Sequence, residues 1–389
     1  MGQESQFRRL AGARKSKNSP PIFSQEFIIQ NHGDIFSCIV LVVFAGFMFQ
    51  VTAPFAAIFT LPQYNISTED ESGTVTGTVY GNGLRDIATC LFYGVCCIVA
   101  HAIIQEYFLD KLQRKLHLSK TKTSKFTESG HLTIFSLYSA AHAGYILNKQ
   151  NYLLEVGSLW VGYPEQHREM SLFLKLFFLI QIAYWLHQFP EFYFQKAKRD
   201  EIRSRTTYSL IYLAYIVGAY ALNFTRVAIC ISFIHYVAEL VFHVCRMAHF
   251  AEKTAISGPG FKFWNILFVF VRLGCVTLAS LTFWYGLRTS ETPYVDIQAG
   301  NFNTTFIRLN CLICVCALQG WLMWNFITFH LRRMRERSAA QAKPRYSQRS
   351  KQRKAAAKER KLEEELQQLP EADQETTRVL RSAKKEKAA

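Results

Sequence analysis

The sequence predicts an all-α polytopic membrane protein with about eight transmembrane helices, and three observations support this prediction. Half of the 389 residues are hydrophobic and 14% are aromatic, with 32 phenylalanines. Apolar windows of about 18–25 residues recur along the chain, which is the length that a helix needs to cross roughly 30 Å of hydrocarbon. The charged residues are gathered in short blocks between these windows. This segregation is typical of a chain that crosses a bilayer several times.

The eight windows are separated by short polar connections. The first window contains Gly46 and ends near Pro54, and the third is the weakest because His142 and Gly144 interrupt it. The fifth lies between the basic loop 196–205 and the turn at Asn223. Apart from span 5, the predicted spans are about 35–57, 86–105, 132–147, 171–192, 225–245, 263–287 and 306–329.

Four regions follow from this pattern. Residues 1–33 form an N-terminal tail with an amphipathic segment that could lie along the membrane interface. Residues 34–117 contain the first two spans, and residues 118–335 contain the other six. Residues 336–389 form a basic tail that we expect to be disordered or partly helical, because little in it could build a core.

Loop charge predicts the orientation of the chain. With eight spans, the basic blocks at 8–17, 111–125, 196–205 and 332–337 all fall on one side of the membrane. The positive-inside rule makes that side cytosolic, so both termini are predicted to be cytosolic.

Three N-glycosylation sequons test this orientation. Asn65 lies in the loop after span 1, on the side opposite the basic blocks, and we expect it to be modified. Asn223 lies in a tight turn at the membrane surface and is expected to stay unmodified. Asn303 lies only a few residues before span 8, and the sequence leaves its modification open.

Ionisable residues lie inside three of the apolar spans. Four-residue spacing places His235, Glu239 and His243 on one face of span 6. Because a charged side chain in hydrocarbon is expensive, such residues are expected to face the bundle interior, either hydrated or paired. The predicted intramembrane polar cluster comprises His187, Glu191, His235, Glu239, His243 and Arg272.

The role of this cluster is open at the level of sequence. Hydrated groups would form a cavity, whereas paired groups would serve packing and hydrogen bonding. Arg272 would either pair with Glu239 or Glu191, or line a water-filled pocket without a fixed partner. Imidazole and carboxylate on one face could also bind zinc. No second helix with a matching ligand spacing is evident, so we predict no metal site and no cofactor.

The cysteines do not indicate a disulfide framework. Most of the ten lie within the predicted spans, where cysteine behaves as a small buried hydrophobic residue. These are Cys38, Cys96, Cys97, Cys230, Cys275, Cys311, Cys314 and Cys316.

Several long peptides resemble the translocating chain-associated membrane protein family of the endoplasmic reticulum. Among them are SPPIFSQEFIIQNHGDIFSC at 19–38, AYWLHQFPEFYFQK at 183–196 and IHYVAELVFH at 234–243. Residues 118–335 resemble the TLC domain, which this family shares with ceramide synthases. The resemblance implies a non-enzymatic helper beside the Sec protein-conducting channel, where it assists ribosome-bound nascent chains into or across the bilayer in contact with membrane lipids.

The same resemblance supplies a rival function, a lipid enzyme or lipid-binding protein related to ceramide synthases. The His-His pair of the Lag1 motif falls on Tyr208 and Ser209 in this sequence. The Asp that follows the motif's third His falls on Tyr236, and its next Asp falls on Glu239. Acyl transfer needs a general base near the nucleophile, and of the motif's His and acidic residues only His235 keeps its identity, with Glu239 a conservative replacement. We therefore predict the fold without the chemistry. A carrier or channel is a third, weaker alternative.

The C-terminal tail suggests partners and a location. Residues 331–389 contain 18 Lys/Arg and 9 Asp/Glu, so they contribute +9 of the net charge of +16. Such a tail could contact ribosomal RNA or anionic lipid, or could be solvated and serve only to fix the orientation. Lys385 and Lys387 resemble a dilysine signal for retrieval to the endoplasmic reticulum, in agreement with a cytosolic C-terminus.

Overall fold

The computed structural model describes residues 21, 24–69, 75–195, 199–342 and 353–361, and nearly all of them are helical. Six helical stretches are long and apolar enough to cross a membrane, which confirms a polytopic α-helical membrane protein. They are Gln25–Met48, Asp86–Lys115, Leu172–Phe194, Thr225–Phe250, Thr254–Ser290 and Thr305–Ala339.

The helices are numbered in chain order. They are α1 (Gln25–Ala45), α2 (Ala53–Thr60), α3 (Asp86–Ile103), α4 (Asp110–Lys115), α5 (Lys120–Gln150), α6 (Glu165–Arg168), α7 (Leu172–Phe194), α8 (Arg199–Ala221), α9 (Thr225–Phe250), α10 (Thr254–Ala279) and α11 (Thr305–Ala342). Residues 353–361 are also helical. The chain divides into two compact units, residues 1–320 and 321–389.

The predicted spans 3 and 5 correspond to α5 and α8. At 1.5 Å per residue, their 31 and 23 residues extend roughly 46 Å and 34 Å, enough to cross the hydrocarbon. Both carry charged residues in their first turns, and neither is among the six most apolar helices. The count of eight therefore stays a prediction for these two helices.

The first span differs from the sequence prediction. A continuous helix was expected over about 35–57, but α1 begins at Gln25, where the Ser24 hydroxyl accepts a hydrogen bond from the Phe27 N–H. The helix bends at Asn31 and ends at Ala45, and a short 3₁₀ turn precedes α2. The hydropathy pattern placed the start of this helix too late, because the capping residue and the polar residues that follow it extend the helix beyond its apolar part. Pro54 lies in the first turn of α2, where proline is tolerated.

Two short strands lie in the loop between α2 and α3, where the sequence predicted only a loop. Strand β1 (Asn65–Glu69) pairs antiparallel with β2 (Val75–Tyr80), with Asn65 opposite Tyr80. Tyr80 also forms an isolated antiparallel bridge with Met170, just before α7. The alternation in VTGTVY is the sequence signal that could have predicted β2.

The core is built by helix-on-helix packing in two clusters. In the first, α5, α7, α8 and α9 bury aromatic and aliphatic side chains such as Phe177, Phe178 and Ile229. In the second, α9 and α10 bury Ile231, Cys275 and neighbouring residues. Helix α9 contributes to both clusters and is therefore the central helix of this unit.

All ten cysteines are free thiols, in agreement with the absence of a disulfide framework. Their environments are more varied than predicted. Cys90, Cys230 and Cys275 are buried, whereas Cys38 and Cys314 are exposed on the outer faces of their helices. Hydropathy identifies the helix but does not decide which of its faces packs inward.

A buried ion pair joins α7 to α3. The Lys175 ammonium lies 2.9 Å from Asp86 Oδ1 and donates hydrogen bonds of 2.7 Å to the carbonyls of Gln63 and Gly81. The other carboxylate oxygen of Asp86 accepts from the Tyr220 hydroxyl at 2.8 Å and from the Gly83 N–H at 3.0 Å. Lys175 is fully buried and Asp86 nearly so. The ammonium is thus held by two carbonyl acceptors and by the charge of the Asp86 carboxylate.

We expect Lys175→Met to lower the free energy of unfolding by roughly 3–5 kcal/mol, because it leaves the Asp86 carboxylate buried without its counter-ion. Thermal unfolding of the purified protein in detergent measures the change. Lys149→Met is the matched control, since Lys149 is exposed near the end of α5. Equal melting temperatures for both variants and the wild type would contradict this assignment.

Candidate functional site

The polar face of α9 is formed as its spacing predicts. Glu239 and His243 lie one turn apart, and their side chains meet with 3.3 Å between Glu239 Oε2 and His243 Nε2. His235 lies one turn before Glu239, in the region where α9 faces α8 and α10.

Two residues from neighbouring helices hold the His235 ring. From α10, Arg272 Nη2 donates a hydrogen bond of 2.8 Å to His235 Nδ1. From α8, the Tyr212 hydroxyl contacts His235 Nε2. Arg272 itself is buried, and its Nη1 donates to Gln319 Oε1 on α11 at 2.8 Å. The predicted direct partners of Arg272, Glu239 and Glu191, are therefore incorrect.

The hydrogen bonds among these groups have one consistent direction. A guanidinium only donates, so Nδ1 of His235 must accept, and a neutral ring then carries its proton on Nε2. That N–H donates to the Tyr212 oxygen. Tyr212 contacts the Tyr208 hydroxyl at 3.1 Å, and Tyr208 donates to Glu239 Oε2 at 3.2 Å. The positive Arg272 and the negative Glu239 are thus connected through His235 and two tyrosines.

His187 and Glu191 belong to a second group of polar side chains. Glu191 Oε1 lies 3.3 Å from His101 Nε2 and accepts a 3.1 Å hydrogen bond from Gln195. The rings of His101 and His131 are stacked with 3.5 Å between centroids. His187 Nδ1 contacts the carbonyl of Tyr184. This group is built by α3, α5 and α7, without α9 or α10.

The six predicted residues therefore form two groups rather than one cluster. Aromatic rings connect the groups: Tyr184 contacts His187, and Trp185 stacks on Tyr212 with 4.0 Å between centroids. Trp185 also donates a 3.2 Å hydrogen bond to the Tyr236 hydroxyl, which donates in turn to Gln181. The space between the groups is occupied by packed aromatic side chains.

Several residues at these sites were not identified from sequence. Tyr212 lies four residues after Tyr208 on α8, so a search for polar atoms at helical spacing could have found it. Gln319 is an isolated amide in the apolar run VCALQGW. No local signal singled out Lys175, because its partners come from distant parts of the chain.

The His235 ring is engaged on both sides by neighbouring side chains. Within the described residues, no three His, Cys, Asp or Glu side chains are placed to hold a metal ion. Both nitrogens of His235 have hydrogen-bond partners. A general base needs a free lone pair near its substrate, and that lone pair is occupied by Arg272.

The sequons occupy different environments. Asn65 begins β1 and is exposed. Asn303 is fully buried, and its Nδ2 donates to the carbonyls of Leu287 and Ser290 at 2.7 and 2.9 Å. Asn223 is also buried, and its Nδ2 donates to the Gly300 carbonyl at 2.9 Å. The proposed retrieval residues Lys385 and Lys387 lie outside the described residues.

The fold and the polar face of α9 define a class, the multi-pass membrane proteins with a TLC domain. The TLC-domain family model matches residues 125–328. Translocating chain-associated membrane protein 2 of Mus musculus is 46% identical over 324 residues, which cover 83% of this chain and 86% of that protein. Its Homo sapiens counterpart is 45% identical with the same coverage. The chain belongs to the translocating chain-associated membrane protein family.

A more distant relative is the sphingosine N-acyltransferase-like protein ALT7 of Alternaria alternata. It is 29% identical over 174 residues, which cover 44% of this chain and 39% of that protein. The likeness is therefore limited to part of each chain.

We expect Arg272→Leu to destabilise the protein by roughly 3 kcal/mol, because His235 and Gln319 both lose a charged donor. Arg272→Lys should recover only part of the loss, since one ammonium does not reproduce the two-pronged geometry of a guanidinium. Thermal unfolding in detergent measures both. The control is Arg288→Leu, at an exposed position near the end of the same helical stretch. A stable Arg272→Leu variant would contradict the assigned network.

Proposed function

We propose that this protein assists co-translational translocation or membrane insertion of nascent secretory and membrane proteins at the endoplasmic reticulum. The observation that carries the proposal is the 46% identity over 86% of a relative named for its association with translocating chains. Its partners are then the Sec protein-conducting channel, ribosome-bound nascent chains and membrane lipids. The basic tail supplies weak contacts to ribosomal RNA or anionic lipid.

The proposed setting is the membrane of the endoplasmic reticulum, with both termini cytosolic. Basic loops on one side and the exposed Asn65 on the other support this orientation. Lys385 and Lys387 support retrieval to this compartment by their spacing from the C-terminus.

The polar groups suggest how the protein could receive a nascent segment. They are mostly paired inside the bundle, in two separate groups. Tyr208 is the most exposed member of the α9 group, with 37% of its surface accessible, and 16% of the Glu239 side chain is accessible. His235 and Tyr212 are also half-buried. A polar atom of a weakly hydrophobic segment would find hydrogen-bond partners there, whereas a strongly hydrophobic segment would gain nothing.

We expect weakly hydrophobic signal sequences to depend on this protein more than strongly hydrophobic ones. Vesicles that contain the Sec channel, with or without this protein, and ribosome-bound chains of graded hydrophobicity provide the measurement. Glu239→Gln and Tyr208→Phe should reduce the stimulation for weak segments. Equal stimulation across the whole series would refute this dependence.

The proposed role does not include catalysis. Of the His and acidic residues of the Lag1 motif, only His235 keeps its identity in this chain, with Glu239 a conservative replacement. The His235 ring is held by Arg272 and Tyr212. We expect no transfer of an acyl group from acyl-CoA to a sphingoid base by the purified protein. His235→Ala should lower thermal stability instead. Ceramide formation that disappears in this variant would establish the lipid-enzyme alternative.

We expect Asn65 to be the glycosylated sequon. Its side chain is exposed on β1, whereas a sugar on Asn303 or Asn223 would displace hydrogen bonds in a buried site. Asn65→Gln should abolish the mobility shift produced by endoglycosidase after synthesis in microsomes. Asn303→Gln should leave that shift unchanged. An unmodified wild-type chain, or a C-terminal epitope protected from protease, would contradict the proposed orientation.

A further inference from the structure

The outer edge of β2 is paired at one residue, Tyr80, whereas the outer edge of β1 has no main-chain partner among the described residues. The Tyr80 N–H and carbonyl exchange hydrogen bonds of 2.9 Å with Met170, so both groups point away from β1. Tyr80 lies opposite Asn65. In an antiparallel ladder the two members of such a pair point their main-chain groups outward in opposite directions. The N–H and carbonyl of Asn65 therefore point away from β2.

The same alternation assigns the next outward-facing residue. Tyr64 accepts a 2.9 Å hydrogen bond from the Gly81 N–H, as expected for an inward-facing position next to Asn65. Ser67 lies opposite Thr78 and, two residues after Asn65, also faces outward. Among the described residues, no main-chain partner is found for the N–H or carbonyl of either Asn65 or Ser67. Both residues are exposed.

Natural sheets usually block such an edge with lysine, proline or a covering segment. Strand β1 reads Asn-Ile-Ser-Thr-Glu and contains neither lysine nor proline. Its outward groups are backbone atoms, so an incoming strand would pair with them whatever its sequence. A site that must accept many different polypeptides needs this kind of recognition.

We propose that the outer edge of β1, at Asn65 and Ser67, pairs transiently with an extended segment of the translocating polypeptide on the lumenal side. This inference rests on the proposed function and deepens it. Two residues offer four main-chain groups. Stable dimers use about ten hydrogen bonds and roughly 800 Å² per partner, so this short edge is too small for a second copy of the chain. It suits a segment that binds briefly and moves on.

Ser67→Pro tests the edge directly, because proline removes the outward N–H without removing a hydrogen bond to β2. The change also destroys the sequon at Asn65, so Ser67→Ala is the matched control: it loses the sequon but keeps the N–H. Ser67→Thr keeps both. Each full-length variant is reconstituted with the Sec channel, and crosslinking is measured from a photoreactive residue in the lumenal part of a ribosome-bound nascent chain.

We expect Ser67→Ala, which loses the sequon, to crosslink like the unglycosylated wild type. Ser67→Thr, which keeps the sequon, should crosslink like the glycosylated wild type. Crosslinking to Ser67→Pro should fall about fivefold, the factor that corresponds to one ordinary main-chain hydrogen bond. Equal crosslinking to the alanine and proline variants overturns the inference. A change of oligomeric state in Ser67→Pro also overturns it, in favour of pairing between two copies.

A second measurement leaves the protein unchanged, so that a misfolded variant does not decide the result. The nascent chain carries a Thr-Ala repeat or a Thr-Pro repeat of about six residues, the length of an ordinary strand, next to the photoreactive group. The Thr-Ala chain should crosslink more strongly to the wild type, and equal yields overturn the inference. Stimulation of translocation by the wild-type protein is measured in the same vesicles. If the protein stimulates translocation, the proposed function stands, whichever nascent chain crosslinks more strongly. If it does not stimulate translocation, the proposed function itself is refuted.

Discussion

The constraint behind this structure is that polar side chains within a membrane bundle must find their partners in the protein, because hydrocarbon provides none. Lys175 shows this most clearly. Its ammonium donates to two carbonyls at 2.7 Å in the loop between α2 and α3, and it lies 2.9 Å from the Asp86 carboxylate at the start of α3. Through Asp86 and Tyr220 the same network reaches α8. One buried charge thus positions three helices and the loop that carries β1 and β2.

The same constraint explains the polar face of α9. Arg272 would be expensive in hydrocarbon by itself, and it is stabilised by Gln319 on one side and His235 on the other. The cost of accommodating Arg272 is that the Nδ1 lone pair of His235 is occupied. His235 is therefore a hydrogen-bond acceptor for Arg272 in this structure.

The two groups of polar residues are separated by packed aromatic rings. Tyr184, Trp185 and Tyr236 fill the space between them, and their rings contact members of both groups. The α9 group is most exposed at Tyr208, and Glu239, His235 and Tyr212 are half-buried. Under the proposed function, a nascent segment would meet this half-buried polar surface on an otherwise apolar bundle.

The sequence by itself determined the all-α membrane class, the approximate positions of the six most apolar spans, the family and the shared face of His235, Glu239 and His243. These properties depend on composition, on long matching peptides and on helical spacing, all of which are local. The tertiary structure decided the partner of Arg272, the division of the polar residues into two groups, the burial of Asn303 and the pairing of β1 with β2. Each of these depends on contacts between residues far apart in the chain. Hydropathy reports how apolar a helix is, whereas only packing determines which neighbour each of its faces meets.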